Sequence, residues 1–259
     1  MNLILSWAAC NGLRIRSADI SNAYFQGKPA DRLILLKPPR GGIPGMDGSE
    51  QYAIAARVPI YGFRDAGRQF WKSFRSSIVS AGLSENRCFK AFYTFHEDGD
   101  VKVMLGTHVD DLMYACKPGY EHMLQPIFDT FEVKTFEEGS FRFCGREIEQ
   151  DDSCNITVTC RDTAEKTLPI NWRVNGRNLE AKATEGEISQ LRSVVGSLAW
   201  IARQCRPGLS YHCSKLQSIA PSAQLKHLKE ANKILQTAIT GAGDGCYYKA
   251  KAFNWNDSV

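Results

Sequence analysis

The hydrophobic period changes twice before residue 21. Leu3 to Gly12 is almost continuously apolar and reads as a short buried helix. Leu13 to Ile20 alternates, with Leu13, Ile15, Ala18 and Ile20 inward, and reads as a strand. Arg32 to Lys37 predicts a second short strand, stopped by Pro38-Pro39 and a glycine-rich loop. That loop lacks the G-x-x-x-x-G-K-[ST] spacing that cradles phosphate. From Arg64 to Gly82 the period becomes helical: Phe70, Trp71, Phe74, Ile78 and Ala81 share one face, while Arg64, Arg68, Lys72 and Arg75 share another. Lys90 to His96, Val101 to Val109 and Leu112 to Cys116 then predict successive antiparallel strands. Pro118 to Phe131 reads as a helix kinked or delayed by Pro126. Phe141 to Glu149 and Cys154 to Arg161 predict a hairpin about residues 150–153.

Beyond residue 160 the pattern is helical. Thr184-x-x-Glu187 is a capping box opening a helix whose inward positions are Ile188, Leu191, Val194, Val195, Leu198 and Ile201. Pro207 ends it, a short helix covers Ser210 to Ala220, and Ser222 to Thr240 follows up to Gly241. The change from strand-rich to helical places a boundary near 160.

Charge follows the same division. Residues 1–159 carry 18 Lys+Arg against 20 Asp+Glu, and residues 160–240 carry 12 against 6. The overall balance of +4 hides this asymmetry, which suits carboxylate chemistry beside a surface that meets an anion. No apolar run approaches the ~20 residues of a membrane span, and no basic residue precedes the apolar start, so neither membrane anchor nor signal peptide is expected. Nine scattered cysteines without a C-x-x-C pair argue against a disulfide framework or zinc site and for reduced thiols in a cytoplasmic or nuclear setting. Cys205, His212 and Cys213 lack a fourth ligand at usable spacing.

Asp110-Asp111 sits between two core-type strand segments. A tight turn explains one Asp well. Two adjacent carboxylates repel, and a divalent cation would resolve the repulsion; from the dipeptide alone both readings stand. Asp19, at the end of the first strand, adds a third carboxylate. Carboxylates at one strand end and on a neighbouring hairpin can converge on two Mg²⁺ ions, the arrangement of phosphoryl transfer.

Several segments together resemble reverse transcriptases of copia-type retrotransposons. Asp19-Ile20-Ser21-Asn22-Ala23-Tyr24-Phe25 resembles the first catalytic motif, and His108-Val109-Asp110-Asp111 the aromatic-x-Asp-Asp motif. Residues Ile60 to Trp71 are similar to that group's leucine-tyrosine-glycine-leucine stretch. Phe143-Cys144-Gly145-Arg146-Glu147-Ile148 and Val195-Gly196-Ser197-Leu198 with Arg206-Pro207 match its later signatures, in order, from about residue 5 to about 250.

The resemblance implies an α+β fold: a right-hand polymerase palm of antiparallel sheet and packed helices with truncated fingers (1–159), a mainly helical thumb (160–240), and in 241–259 the start of a truncated ribonuclease H region or a linker. It implies that Asp19, Asp110 and Asp111 hold two Mg²⁺ ions (or Mn²⁺), Asp111 most loosely. Ile20, Tyr24 and Asp65 would meet the nucleotide, with Tyr24 excluding a 2′-hydroxyl and Phe25 serving as the core aromatic. Arg68, Lys72, Arg75, Cys144, Gly145, Lys226, Lys229 and Lys233 would meet primer and template. The implied partners are an RNA template, a DNA primer, their hybrid and deoxynucleoside triphosphates; nothing implies an oligomeric state. Three departures weigh against full activity. Asp65 stands where the family usually has glutamine, His108 replaces the aromatic before the paired aspartates, and only 18 residues precede Asp19, without the family's basic fingers. A feeble or inactive polymerase, or a nucleic-acid-binding remnant, is the alternative expectation. A cyclase or nuclease would share the carboxylates and lack the helical signatures.

Overall fold

The computed structural model describes residues 1–29, 32–173 and 176–253. In chain order the elements are α1 (Asn2–Asn11), β1 (Arg16–Ile20), β2 (Ile34–Leu36), β3 (Ile54–Ala56), α2 (Ala66–Ser80), β4 (Ser84–Glu85), β5 (Phe92–Glu97), β6 (Asp100–His108), β7 (Asp111–Cys116), α3 (Gln125–Thr130), β8 (Val133–Glu138), β9 (Ser140–Phe143), β10 (Arg146–Gln150), β11 (Ile156–Thr159), α4 (Arg161–Lys166), α5 (Glu185–Gln204), α6 (Ser210–Ile219), α7 (Leu225–Thr240) and β12 (Cys246–Tyr248). Mixed helix and antiparallel sheet is the class the residue pattern predicts. None of the described helices is long and apolar enough to cross a membrane.

Two compact units divide the chain between Glu138 and Gly139, with Met1–Ile4 in the first and Leu5–Gly12 in the second. The first holds a six-stranded antiparallel sheet in the order β4-β5-β6-β7-β1-β8. Ala18, Ile20, Val103, Leu105, Leu112 and Tyr114 pack on one face with Phe70, Phe74 and Ile78 of α2 and Ile127 of α3. The opposite face comes close to the chain start: a methyl on Gly106 would lie 2.9 Å from Ile4 Cδ1, so only glycine fits there without a shift. Hairpin β5–β6 turns at Asp98 and Gly99, both at positive φ (53° and 75°), the geometry Asp-Gly favours.

The second unit holds the sheet β12-β11-β10-β9 and helices α4 to α7. Leu191, Val194, Leu198 and Ile201 of α5 and Leu228, Ala231 and Leu235 of α7 share one core. The predicted capping box opens α5: Thr184 and Glu187 satisfy each other's backbone N–H. The expected boundary near 160 falls inside this unit, between β11 and α4.

Three expectations need correction, and one strand has no counterpart among them. Trp71 is 38% exposed rather than inward; it lies one residue, or 100°, from Phe70, and the Arg75 guanidinium stacks 5.8 Å above its ring. Phe141 to Glu149 is two strands, β9 and β10, because Cys144 and Gly145 take positive φ (48° and 74°). Strand β8 (VKTFEE) escaped notice because it is charged and mostly exposed, a strand made by pairing with β1 rather than by its own pattern. Of the aromatic pair after Asp19, Tyr24 packs against the core while Phe25 is 45% exposed. The terminal segment from 254 onward lies outside the described residues.

Candidate active site

Strand β1 pairs with β7 so that Asp19 stands opposite Asp111, and Ala18 opposite Leu112. Ala18 and Leu112 face the α2–α3 core. Alternation therefore puts both carboxylates on the other face of the sheet. Strand β6 joins β7 through a two-residue turn, Val109-Asp110, closed by the pair His108–Asp111. Val109 sits at φ 58°, a position usually given to glycine and uncomfortable for a β-branched residue. The turn is held from β1, where the Ile20 amide donates to the Asp110 carbonyl at 2.9 Å. Asp19, Asp110 and Asp111 are thus gathered at one end of the sheet's central strands.

The cluster is electrostatically unfavourable as an isolated set of anions. Burial pushes the Asp111 carboxyl above its ordinary range; Asp110 and Asp19 push it the same way, and His108 opposes them. Lys134 on β8 brings its ammonium 3.8 Å from Asp19 Oδ2, an exposed and weak pair. Carboxylate oxygens are hard donors of the kind Mg²⁺ takes, although those of Asp19, Asp110 and Asp111 do not all lie within 4.8 Å of one another.

An aromatic wall adjoins the carboxylates. Tyr24, in the single helical turn Ala23–Gln26, packs against Tyr61 with ring centroids 4.5 Å apart and planes tilted by 35°. Phe25 meets the same Tyr61 edge-on at 5.7 Å. The Tyr61 hydroxyl is raised in pKa by desolvation first, then by the charges of Asp110, Tyr24 and Asp19. Sequence reasoning had Tyr61 only as part of a motif; the signal that could have singled it out is an exposed-type aromatic in a loop just before a helix.

The remaining nucleotide-site expectations fare unevenly. The Ile20 side chain is 1% exposed, in the core, so its contribution is the backbone bond to the hairpin rather than a nucleotide contact. Asp65 stands at the N-cap of α2, where both its oxygens lie 3.3 Å from Arg32 Nη2. Its charge is therefore compensated locally. Arg68 and Lys72 are exposed on α2. Arg75 pairs through its Nε with Glu85 at 2.8 Å.

In the second unit, Cys144 and Gly145 form the β9–β10 turn, backed by Trp200 of α5: a methyl on Gly145 would lie 3.5 Å from that ring. Glu147, in the same motif, accepts from the Arg161 amide at 2.9 Å and so caps α4. On α7, Lys226, Lys229 and Lys233 are exposed. Lys226 is held by Glu180 at 2.6 Å.

Residues 1–169 match the family of reverse transcriptases (RNA-dependent DNA polymerases). The retrovirus-related Pol polyproteins from transposons RE2 and RE1 of Arabidopsis thaliana are each 22% identical to this chain over 96% of its length. The chain spans 18% of the length of those two relatives. The transposon Ty5-1 protein of Saccharomyces cerevisiae is 22% identical over 86% of this chain and 75% of its own length. The chain belongs to the reverse transcriptase family, and it is similar to the copia-type retrotransposon Pol polyproteins.

Proposed function

We propose that this chain performs RNA-directed DNA synthesis, adding deoxynucleotides to a primer 3′-hydroxyl on an RNA template with loss of pyrophosphate. The observation that carries this reading is the register that stands Asp19 opposite Asp111 with Asp110 beside them. Asp19 and Asp110 would be the direct ligands of two Mg²⁺ ions, or of Mn²⁺, and Asp111 the looser third. Bound there, the ions supply charge stabilisation for the attacking and leaving oxygens.

The chain's own residues do the rest. The carboxylates fix where the reacting groups meet, and Lys134 balances Asp19 when no cation does. Tyr24 stands beside the incoming sugar and excludes a 2′-hydroxyl. The Cys144-Gly145 turn holds the primer end, where a glycine lets nucleic acid approach the backbone. Arg68, Lys72, Lys229 and Lys233 meet phosphates. Residues 1–159 serve as palm with part of the fingers, and 160–240 as thumb.

Primer extension on an RNA template tests the reading. The expected result is deoxynucleotide incorporation that needs Mg²⁺ and is lost in Asp110→Asn. Tight binding of RNA–DNA hybrid with no incorporation in any divalent cation would instead identify a catalytically defective, nucleic-acid-binding copy.

A further inference from the structure

Tyr61 carries no role so far, yet it touches everything on its side of the site. Its ring packs against Tyr24 at 4.5 Å, tilted by 35°. Phe25 packs against it edge-on at 5.7 Å. The charges of Asp110 and Asp19 both raise the pKa of its hydroxyl. Tyr24 also meets the Phe70 ring at 6.5 Å and the first turn of α2, where a methyl on Gly67 would lie 3.5 Å from the Tyr24 hydroxyl.

Tyr24 thus touches both the α2 scaffold and the Tyr61 side chain. Tyr61 is 54% exposed, so little of the core depends on it. A half-exposed aromatic that fills no core but braces another aromatic beside a charged cluster has a positional use. Rejection of a hydroxyl on a sugar demands that the rejecting ring not yield. A ring with free χ1 and χ2 would swing away from the extra oxygen instead of colliding with it.

We propose that Tyr61 is a positioning residue for sugar selectivity: it locks the Tyr24 ring against the α2 scaffold, and without it Tyr24 no longer discriminates ribose from deoxyribose. The inference rests on the reading of Tyr24 as the sugar-facing residue. Contact between the two rings supplies the restraint.

The test is equilibrium binding of dGTP and GTP, each with Mg²⁺, to the full chain and to three variants. The wild-type chain binds dGTP in preference to GTP. Tyr24→Val removes that preference. Tyr61→Ala reduces it about fivefold, equivalent to about 1 kcal/mol, with dGTP affinity nearly kept, because GTP gains. Tyr61→Phe retains most of the preference. Thermal midpoint and Mn²⁺ affinity stay at wild-type values in both Tyr61 variants, as a merely structural role would not allow. A wild-type preference in Tyr61→Ala, alongside its loss in Tyr24→Val, overturns the proposal and leaves the reading of Tyr24 intact. An unchanged preference in Tyr24→Val, or none in the wild-type chain, overturns that reading and the proposal with it.

Discussion

Asp19 on β1 faces Asp111 on β7 across a register that places two like charges side by side on one face of a sheet. Directly opposed like charges destabilise a strand pair by up to ~1 kcal/mol. Evolution of stability alone would remove one of them. Asp111→Asn should therefore raise the unfolding temperature in the absence of divalent cations, by about 2 °C for a chain of this size. It should also lose the stabilisation that added Mn²⁺ gives the wild-type chain. Thermal unfolding with chelator and with Mn²⁺ checks both; a lower midpoint in chelator would mean that Asp111 is held by a bond the cluster needs.

The Asp65–Arg32 pair changes what a substitution at Asp65 would do. A bare carboxylate there would repel a triphosphate. A paired one also occupies a guanidinium. Asp65→Gln should lower the apparent Michaelis constant for nucleotide several-fold, because it both removes the anion and frees Arg32. In an Arg32→Ala background the same change should have a clearly smaller effect. Equal effects in the two backgrounds, read from steady-state kinetics, would show that Arg32 takes no part.

Much of the scaffold was legible beforehand. The period of Phe70, Phe74 and Ile78 gave α2 its buried face, Thr184 and Glu187 gave α5 its start, and the alternation around Asp19 and Asp110-Asp111 gave the strands that carry the carboxylates. What escaped had no local signal. Strand β8 is charged and owes its form to β1; β12 is three residues long and owes its form to β11. Partnerships across long separations were equally invisible: Lys134 with Asp19, Asp65 with Arg32, and Tyr61 with Tyr24 depend on register and loop placement, which no sequence period encodes.

Glu187 links the α5 cap to pH. Arg177 above all, with the Thr184 backbone and hydroxyl, holds its carboxyl down at about 2, against an ordinary 4.5. A depressed carboxylate stabilises the fold above its unfolded value and loses that contribution as pH falls from about 4.5 toward 2. Glu187→Gln should cost about 2 kcal/mol at pH 7 and much less near pH 3. Urea unfolding at the two pH values checks this; an equal cost at both would show that packing, not charge, is what the variant loses.

On α7 the three lysines should not contribute alike. Lys229 and Lys233 are free of the ion pair that Glu180 makes with Lys226. Neutralising Lys229 and Lys233 together should lower the slope of log affinity against log salt for RNA–DNA hybrid by about 2, one per phosphate contact. Lys226→Ala should change it far less. A slope unaltered by the double variant would remove α7 from the nucleic-acid surface.

The central claim is that Asp19, Asp110 and Asp111 make one divalent-cation site. Mn²⁺ binding followed by electron paramagnetic resonance, with and without a deoxynucleoside triphosphate, addresses it without requiring turnover. The account predicts Mn²⁺ binding that tightens when the triphosphate is present and that falls at least tenfold in Asp19→Asn and in Asp110→Asn, each still folded. Wild-type Mn²⁺ affinity in both variants would contradict it.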